Sequence, residues 1–271
     1  MRRISSPLRY PGGKSRGLQK ILAKIPTNFS EYREPFLGGG SVFLAIKKQH
    51  PNAIYKINDL NKDLYCFWIN LKNKADELIN EIIRIKNSYE DGKRLYEDFA
   101  SLDDISCNFT RAVRFYILNR ITYSGTVDSG GYSSQAFERR FTLSNIEKLR
   151  PVSDLLQDVM ITNESYENLL FENGKGVFIY LDPPYWKSKK SKLYGKNGDL
   201  HTSFNHIEFA KNVKKCRHKW LITYDDSDII HELFNFAKID PWKMQYGMNN
   251  VNRKKAKKGE EIFISNYKLK N

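Results

Sequence analysis

The sequence contains only three cysteines, Cys66, Cys107 and Cys216, and they lie far apart along its 271 residues. They form neither a close metal-binding pair nor a dense disulfide framework, so a reducing compartment such as the cytosol fits this chain. Histidine is also scarce, and His201 and His206 are five residues apart, which is not helical metal-ligand spacing. We therefore expect no metal site.

Long apolar runs, a signal peptide and a basic amphipathic anchor are also missing, which argues against a membrane protein. Acidic residues are too few to balance the basic ones: 31 Asp and Glu face 45 Lys and Arg, and the formal charge is +14. Such a charge favours a polyanionic partner, with nucleic acid first and an anionic membrane surface as the rival. A hydrophobic content of 40% allows a substantial core.

The most informative stretch is 177–185, Val-Phe-Ile-Tyr-Leu-Asp-Pro-Pro-Tyr. Its uncharged first half, Val177–Leu181, predicts a parallel-sheet strand buried on both faces. The strand must end at Asp182, because the two prolines that follow cannot donate to a sheet. Ligands bind at that edge of open α/β sheets.

The side chains after this strand suit a planar amine such as a nucleobase. Asp182 and a carbonyl held stiffly by Pro183 and Pro184 can accept both hydrogens of an amino group, and Tyr185 can stack on a flat ring. The alternative is a turn that only caps the strand.

A glycine-rich turn, Phe-Leu-Gly-Gly-Gly-Ser at 36–41, separates a predicted strand at Glu31–Phe36 from a predicted helix at Val42–Lys48. Strand, glycine turn and helix begin a nucleotide-binding α/β fold, although this turn is shorter than the dinucleotide fingerprint. After the next predicted strand, Ala53–Ile57, Asp59 lies where an acidic residue binds ribose hydroxyls. Alternatively, Asp59 caps the following helix.

The N-terminal segment 7–14 contains a tight Pro-Gly-Gly loop before a predicted helix at Ser15–Ala23. Lys14 lies near the start of this helix, where a cation is unfavourable, and this position favours an anionic ligand. The alternative is an ordinary exposed lysine.

From about 74 to 150 the pattern is helical, and it includes a helix at Arg111–Ile121. A glycine-rich and polar segment, 122–134, follows with Tyr123 and Tyr132. A loop or hairpin with aromatic rings and nearby arginines suits duplex recognition, since arginines hold phosphates and a ring can enter a base step. The alternatives are a surface loop, or Tyr123 packed as core. The arginines concerned are Arg111, Arg114, Arg120, Arg139 and Arg140.

Further strands are predicted at Val159–Thr162 and Trp220–Tyr224, with a closing hairpin formed by Met244–Met248 and Ile262–Tyr267. Five of the six residues at 253–258 are cations, which indicates a phosphate-binding or a solvated loop.

Taken in order, these motifs resemble the Dam-like (D12 class, alpha group) DNA adenine N6-methyltransferases over nearly the whole chain. The motifs are Tyr10–Lys14, Glu34–Ser41, Asp59, Asn119–Gly125 and Asp182–Tyr185. The resemblance implies an α/β, Rossmann-like S-adenosylmethionine-dependent methyltransferase fold with an inserted helical and hairpin target-recognition domain. It divides the chain into catalytic parts at 1–73 and 155–271 and the insertion at 74–154.

The resemblance also implies roles for individual residues. The catalytic residues are Asp182, Pro183 and Tyr185. The residues that bind S-adenosyl-L-methionine are Tyr10, Lys14, Phe36, Gly38, Gly40, Asp59, Glu164, Tyr166 and Asp182. The residues that bind double-stranded DNA are Arg120, Tyr123, Ser124, Arg139, Arg140, Arg253, Lys254 and Lys255.

The expected reaction is site-specific methylation of adenine N6 in a flipped-out base. Several relatives that read GATC carry an arginine soon after the equivalent of Tyr123–Gly125, where this chain has Thr-Val-Asp-Ser-Gly-Gly at 126–131, so the resemblance does not by itself imply GATC specificity. Alternatives are cytosine N4 methylation, whose enzymes usually carry serine in place of Asp182, RNA adenine methylation, or an inactive DNA-binding relative. We expect a monomer or weak dimer in a prokaryotic or phage-infected cytoplasm, at the nucleoid, in a restriction–modification setting.

Overall fold

The computed structural model describes residues 5–186, 203–245 and 258–269, and seven strands of these residues form one sheet. The strands are β1 (Glu31–Glu34), β2 (Ile54–Asn58), β3 (Val159–Thr162), β4 (Val177–Leu181), β5 (Lys219–Asp225), β6 (Lys238–Gln245) and β7 (Lys258–Ser265). Their order is β3-β2-β1-β4-β5-β7-β6. The pairs β2–β3, β1–β2, β1–β4 and β4–β5 are parallel, whereas β7 is antiparallel to β5 and β6.

Twelve α-helices lie in the described residues. They are α1 (Leu18–Lys24), α2 (Ser41–Gln49), α3 (Lys62–Asn73), α4 (Ala75–Ser88), α5 (Gly92–Ala100), α6 (Asn108–Ile121), α7 (Ser134–Arg140), α8 (Leu143–Glu147), α9 (Leu149–Leu156), α10 (Tyr166–Phe171), α11 (His206–Lys215) and α12 (Asp228–Leu233). Short 3₁₀ turns cover Lys14–Arg16 and Tyr123–Gly125. None of these helices has the length and apolar character that a bilayer span requires.

The strand order confirms the Rossmann-like methyltransferase fold. Strand order reverses between β1 and β4, and ligands bind at such a switch point, outside the carboxyl ends of the strands. The predicted closing hairpin also forms, but its first strand begins at Lys238 rather than at Met244. Of the predicted strand Met244–Met248, the residues after Gln245 lie outside the described part of the chain.

Strand β4 is buried on both faces, as its uncharged sequence predicts. Phe178 and Tyr180 pack into the apolar core on one side of the sheet, with helices of the N-terminal half. Val177, Ile179 and Leu181 pack into a second core on the opposite side. Packing on both faces holds β4 in place, and it therefore fixes the position of Asp182, the first residue after the strand, at the edge of the sheet.

Strand β1 occupies the centre of the sheet although three of its four residues are charged. The buried Arg33 guanidinium donates to the Glu31 carboxylate at 2.7 Å and to the carbonyls of Leu169, Glu172 and Asn173. Each of the three guanidinium nitrogens therefore donates to at least one oxygen, which makes the burial of this charge tolerable.

Helices α4–α9 follow α3 in the chain before β3 begins, as the helical pattern from about 74 to 150 predicts. Helix α6 packs along α3, where the rings of Phe67 and Tyr116 stack with centroids 5.7 Å apart. The expected loop or hairpin at 122–134 contains a single antiparallel bridge, between Thr122 and Tyr132.

Candidate active site

A cavity of about 540 Å³ opens beyond the carboxyl ends of β1, β2 and β4. This volume lies within the usual range for small-molecule sites. It brings together five stretches that are far apart in sequence. Most of its wall comes from residues 10–14, 34–42, 58–60, 165–167 and 182–185, with further contributions from Tyr180, 203–205 and Glu208.

The glycine-rich turn brings the main chain close to the cavity. Gly38 and Gly40 have φ angles of +50° and +67°, a left-handed conformation that residues other than glycine rarely adopt. A Cβ on Gly38 would lie 2.9 Å from the Tyr10 ring, and one on Gly40 would lie 3.0 Å from the Trp68 ring. Both the backbone conformation and the space therefore require glycine at these two positions.

The Asp59 carboxylate is tied to this turn by two backbone donors. Oδ2 accepts from the Gly38 N–H at 2.8 Å, and Oδ1 accepts from the Asn61 N–H at 3.0 Å. Burial raises the pKa of Asp59 to about 6, and the two N–H donors oppose that rise. Asp59 does not cap the next helix: Asn61 does, by accepting from the N–H groups of Asp63 and Leu64.

Aromatic rings form the side of the cavity next to α10. Phe36 and Tyr166 stack with centroids 5.5 Å apart, and Phe204 lies edge-on to Phe36. Glu164 is exposed, its carboxylate accepts from Asn168 Nδ2, and it is not one of the described residues that line the cavity. Sequence reasoning named Glu164 and missed Phe204, which lies after the polar segment 186–203 and carries no recognisable motif.

Lys14 is buried rather than exposed, and it contacts the first and last side chains of the Asp-Pro-Pro-Tyr motif, Asp182 and Tyr185. Its Nζ lies 2.8 Å from Asp182 Oδ1 and donates to the Gly12 carbonyl at 2.9 Å. The same atom lies 4.7 Å from the centroid of the Tyr185 ring. The alternative of an ordinary surface lysine is therefore wrong, and this ion pair was not predicted.

Residues of β5 and β7 also contact Asp182 and Tyr185. Asp182 Oδ1 also accepts from the Thr223 hydroxyl at 2.8 Å. The Tyr185 ring stacks on Tyr224, with centroids 5.7 Å apart, and its hydroxyl donates to Glu261 Oε2 at 3.0 Å. The alternative of a simple strand-capping turn does not account for this number of specific contacts.

Glu34, at the end of β1, is a second buried carboxyl at the cavity wall. Burial raises the pKa of Glu34 well above its usual value, and the nearby charge of Asp182 adds to the rise. The Tyr32 hydroxyl and the Phe43 N–H donate to Glu34 and oppose this shift without cancelling it. The environment therefore favours the neutral form of Glu34.

The turn after α6 presents an aromatic ring to solvent. Tyr123 is 63% exposed, so the alternative that it packs as core is wrong. Its main chain is nevertheless held, because its N–H donates to the Gly131 carbonyl and its carbonyl accepts from Thr126. Ser124 follows with a φ of +57°, and the arginines at 139 and 140 are exposed on α7.

Arg120 is not placed to bind DNA, and we correct that expectation. The residue is buried, and its guanidinium donates to the carbonyls of Pro7 and Arg140. Its neighbour Asn119 exchanges two hydrogen bonds with the main chain of Arg9, at 3.0 and 2.8 Å. These residues fasten the N-terminal segment to α6. The predicted contacts Arg253, Lys254 and Lys255 lie outside the described residues.

No group of three or more His, Cys, Asp or Glu side chains that could hold a metal occurs in the residues that the structure describes.

A family model described as D12 class N6 adenine-specific DNA methyltransferase matches residues 10–248. Among curated relatives, the Type II methyltransferase M.MjaIII of Methanocaldococcus jannaschii is 26% identical over 96% of this chain and 98% of its own length. A DNA adenine methylase of Salmonella typhi is 27% identical over 94% of each chain. The Type II methyltransferase M.CviBI of Paramecium bursaria Chlorella virus NC1A is 24% identical over 97% of this chain and 98% of its own length.

We predict that affinity for S-adenosylmethionine falls as pH is lowered through about 6, the pKa to which burial raises Asp59. The neutral acid is a poorer acceptor for ribose hydroxyls, so binding favours the ionised form and weakens by at most about tenfold per pH unit below that pKa. Calorimetric titrations between about pH 5 and pH 7.5 measure this dependence. Asp59→Asn is the control and should bind weakly with a flat profile; an equally steep profile in this variant would assign the titration to another group.

Arg120→Ala should lower the free energy of unfolding by about 3 kcal/mol, because it leaves buried carbonyls without a donor. Denaturant unfolding measures the loss. The salt dependence of DNA binding by the folded variant should not change. A shallower salt slope with normal stability would restore Arg120 as a phosphate contact.

Tyr123→Ala should leave the melting temperature unchanged, since the ring is exposed, but should slow methylation and weaken the fluorescence of 2-aminopurine at the target position. Tyr132→Ala is the matched contrast. Its ring lies 6.3 Å from Tyr96 and 6.5 Å from Phe137, and its loss should lower the melting temperature. A normal 2-aminopurine signal in Tyr123→Ala would move the base-step wedge to another residue.

Proposed function

Because the chain belongs to the D12 class N6 adenine-specific DNA methyltransferases, we propose that it methylates N6 of a flipped-out adenine in duplex DNA, with S-adenosyl-L-methionine as donor. Site-specific adenine methylation of DNA follows from the family and from relatives named DNA adenine methylase. The donor, the residue roles and base flipping are the parts that we propose.

The cavity walls fit the donor chemically. The Asp59 carboxylate, already oriented by Gly38 and Asn61, suits the hydroxyls of a ribose, and the glycine turn allows close approach of the main chain. Phe36 and Tyr166 supply flat apolar surface for a purine, and Tyr10 and Lys14 bound the end nearest Asp182. When bound there, S-adenosylmethionine supplies an electrophilic methyl group.

Asp182 and the Pro183 carbonyl would activate the adenine amine. The nitrogen lone pair is delocalised into the ring, so the free amine is a poor nucleophile. Two fixed acceptors for its hydrogens would keep the lone pair available and stabilise the charge that develops as the new C–N bond forms. The methyl–sulfur bond of the donor would break in the same step, and the amine would then lose one proton to solvent. Tyr185 would stack against the flipped base, and Glu261 and Tyr224 hold its ring in place.

The insertion at 74–154 would recognise the duplex. Tyr123, exposed on a turn whose main chain is fixed, is suited to enter the base stack with Ser124 beside it. Arg139 and Arg140 on α7, and Arg253, Lys254 and Lys255 of the basic loop, would hold phosphates.

The observation that carries the proposal is the place of Asp182. It ends a strand buried on both faces, lies at a cavity of suitable size and is only partly exposed. An aspartate here favours adenine over cytosine N4 chemistry. We place the enzyme in a prokaryotic or phage-infected cytoplasm as a monomer or weak dimer, at the nucleoid. The Type II names of two relatives favour a restriction–modification setting.

Asp182→Ala should abolish methyl transfer with little effect on donor binding. The expected loss of transition-state stabilisation is at least about 2–4 kcal/mol, as for removal of one oxyanion donor. Single-turnover methylation of an adenine-containing duplex measures it, and calorimetry and melting confirm that the variant binds the donor and folds. The exposed Asp154→Ala is the control. Near-normal turnover by Asp182→Ala would refute the mechanism.

A further inference from the structure

A buried threonine lies directly beneath the Asp182 carboxylate. Thr223, on β5, is fully buried, and its Oγ1 lies 2.8 Å from Asp182 Oδ1 and 2.9 Å from the Tyr180 hydroxyl. Its neighbours along the strand, Ile222 and Tyr224, pack into an apolar core. A valine of the same shape would fill this position without a polar group to satisfy, so the hydroxyl needs an explanation beyond packing.

The chemistry of the three groups fixes the direction of the hydrogen bonds. An ionised carboxylate only accepts, so Thr223 must donate its single proton to Asp182. The Tyr180 hydroxyl must then donate to a lone pair of Thr223. Burial raises the pKa of Tyr180 well above its usual value, and the nearby charge of Asp182 adds to this, so the phenol keeps the proton that it donates.

The hydrogen bond and the ion pair that the Asp182 side chain makes with described residues both involve the same carboxylate oxygen. Oδ1 accepts from Thr223 and pairs with Lys14 Nζ, each at 2.8 Å. Two donors on Oδ1 restrict rotation of the carboxylate about its Cβ–Cγ bond. Oδ2 is thereby left for a ligand, and among the described residues it has no recorded hydrogen bond.

We propose that Thr223 is a positioning residue for methyl transfer: its hydroxyl, supported by Tyr180, orients Asp182 so that Oδ2 meets the adenine amine. This inference rests on the proposed role of Asp182. Lys14 alone does not supply the same orientation, because its Nζ sits at the end of a long side chain and also donates to the Gly12 carbonyl. Thr223, by contrast, is a short side chain on a central strand.

Thr223→Val tests the proposal, since it keeps the shape and removes the hydroxyl. Single-turnover methylation should slow by roughly 10- to 100-fold, the value of a hydrogen bond to a charged group. The dissociation constant of S-adenosylmethionine should stay close to that of the wild type, and the melting temperature should fall only by the effect of the unpaired Tyr180 hydroxyl. Thr223→Ser should restore most of the rate. Ser265→Ala removes an equally buried hydroxyl on β7, bonded to the Tyr267 carbonyl, and should leave the rate unchanged.

Tyr180→Phe/Thr223→Val separates positioning from an artefact of the valine, which leaves the Tyr180 hydroxyl buried without its partner. The double variant should be as slow as Thr223→Val. Recovery of the wild-type rate in it would overturn the proposal, as would a wild-type rate in Thr223→Val or no rescue by serine. If the valine variant does not fold, Thr223→Ala serves in both arms.

Different results would refute the proposed function and the role of Thr223. Normal methylation by Asp182→Ala would refute both the proposed mechanism and the positioning role of Thr223. An inactive Asp182→Ala combined with a fully active Thr223→Val would leave the function intact and refute only the role of Thr223.

Discussion

The ion pair between Lys14 and Asp182 is the constraint on which the site depends. Both charges lie in the protein's interior or at its edge, with Lys14 4% and Asp182 21% exposed. Removing either partner leaves the other largely desolvated, at a cost of several kcal/mol. The pair therefore holds the 10–14 loop against the end of β4. The Tyr10 ring of the same loop lies against Gly38, so the loop also contacts the glycine turn.

Three carboxyl groups at the ends of adjacent parallel strands have different environments, and those differences separate their roles. Glu34 has hydrogen-bond donors but no cation, and its burial favours the neutral acid. Asp59 is held by two backbone N–H groups at a pKa of about 6. Asp182 alone has a cation in contact. One edge of the sheet thus carries a buried carboxyl that favours its neutral form, a carboxyl held by backbone N–H groups and a carboxylate paired with a lysine.

The sequence predicts those elements whose conformation is determined by residues close by in the chain. The uncharged run before Asp182, and the glycines between strand and helix, indicated both β4 and the turn, because their conformations follow from nearby residues. The Lys14–Asp182 pair joins positions that are 168 residues apart in the sequence (182 − 14), and no rule of sequence spacing predicts such a contact. Arg120 was misassigned for a related reason: a charged residue next to an aromatic turn resembles a DNA contact, and only tertiary contacts show that backbone carbonyls surround its guanidinium. No sequence motif marks Thr223, and only the folded structure shows its hydrogen bond to Asp182.

The fastening of the N-terminal segment to α6 has a thermodynamic consequence. One end of this segment is held by Asn119 and Arg120 of α6, and its other end supplies Tyr10 and Lys14 to the cavity. If, as proposed, DNA binds beside α6 and the donor binds in the cavity, both ligands act on one continuous piece of main chain. If either ligand displaces it, the resulting coupling is reciprocal: the factor by which donor alters affinity for DNA equals the factor by which DNA alters affinity for donor.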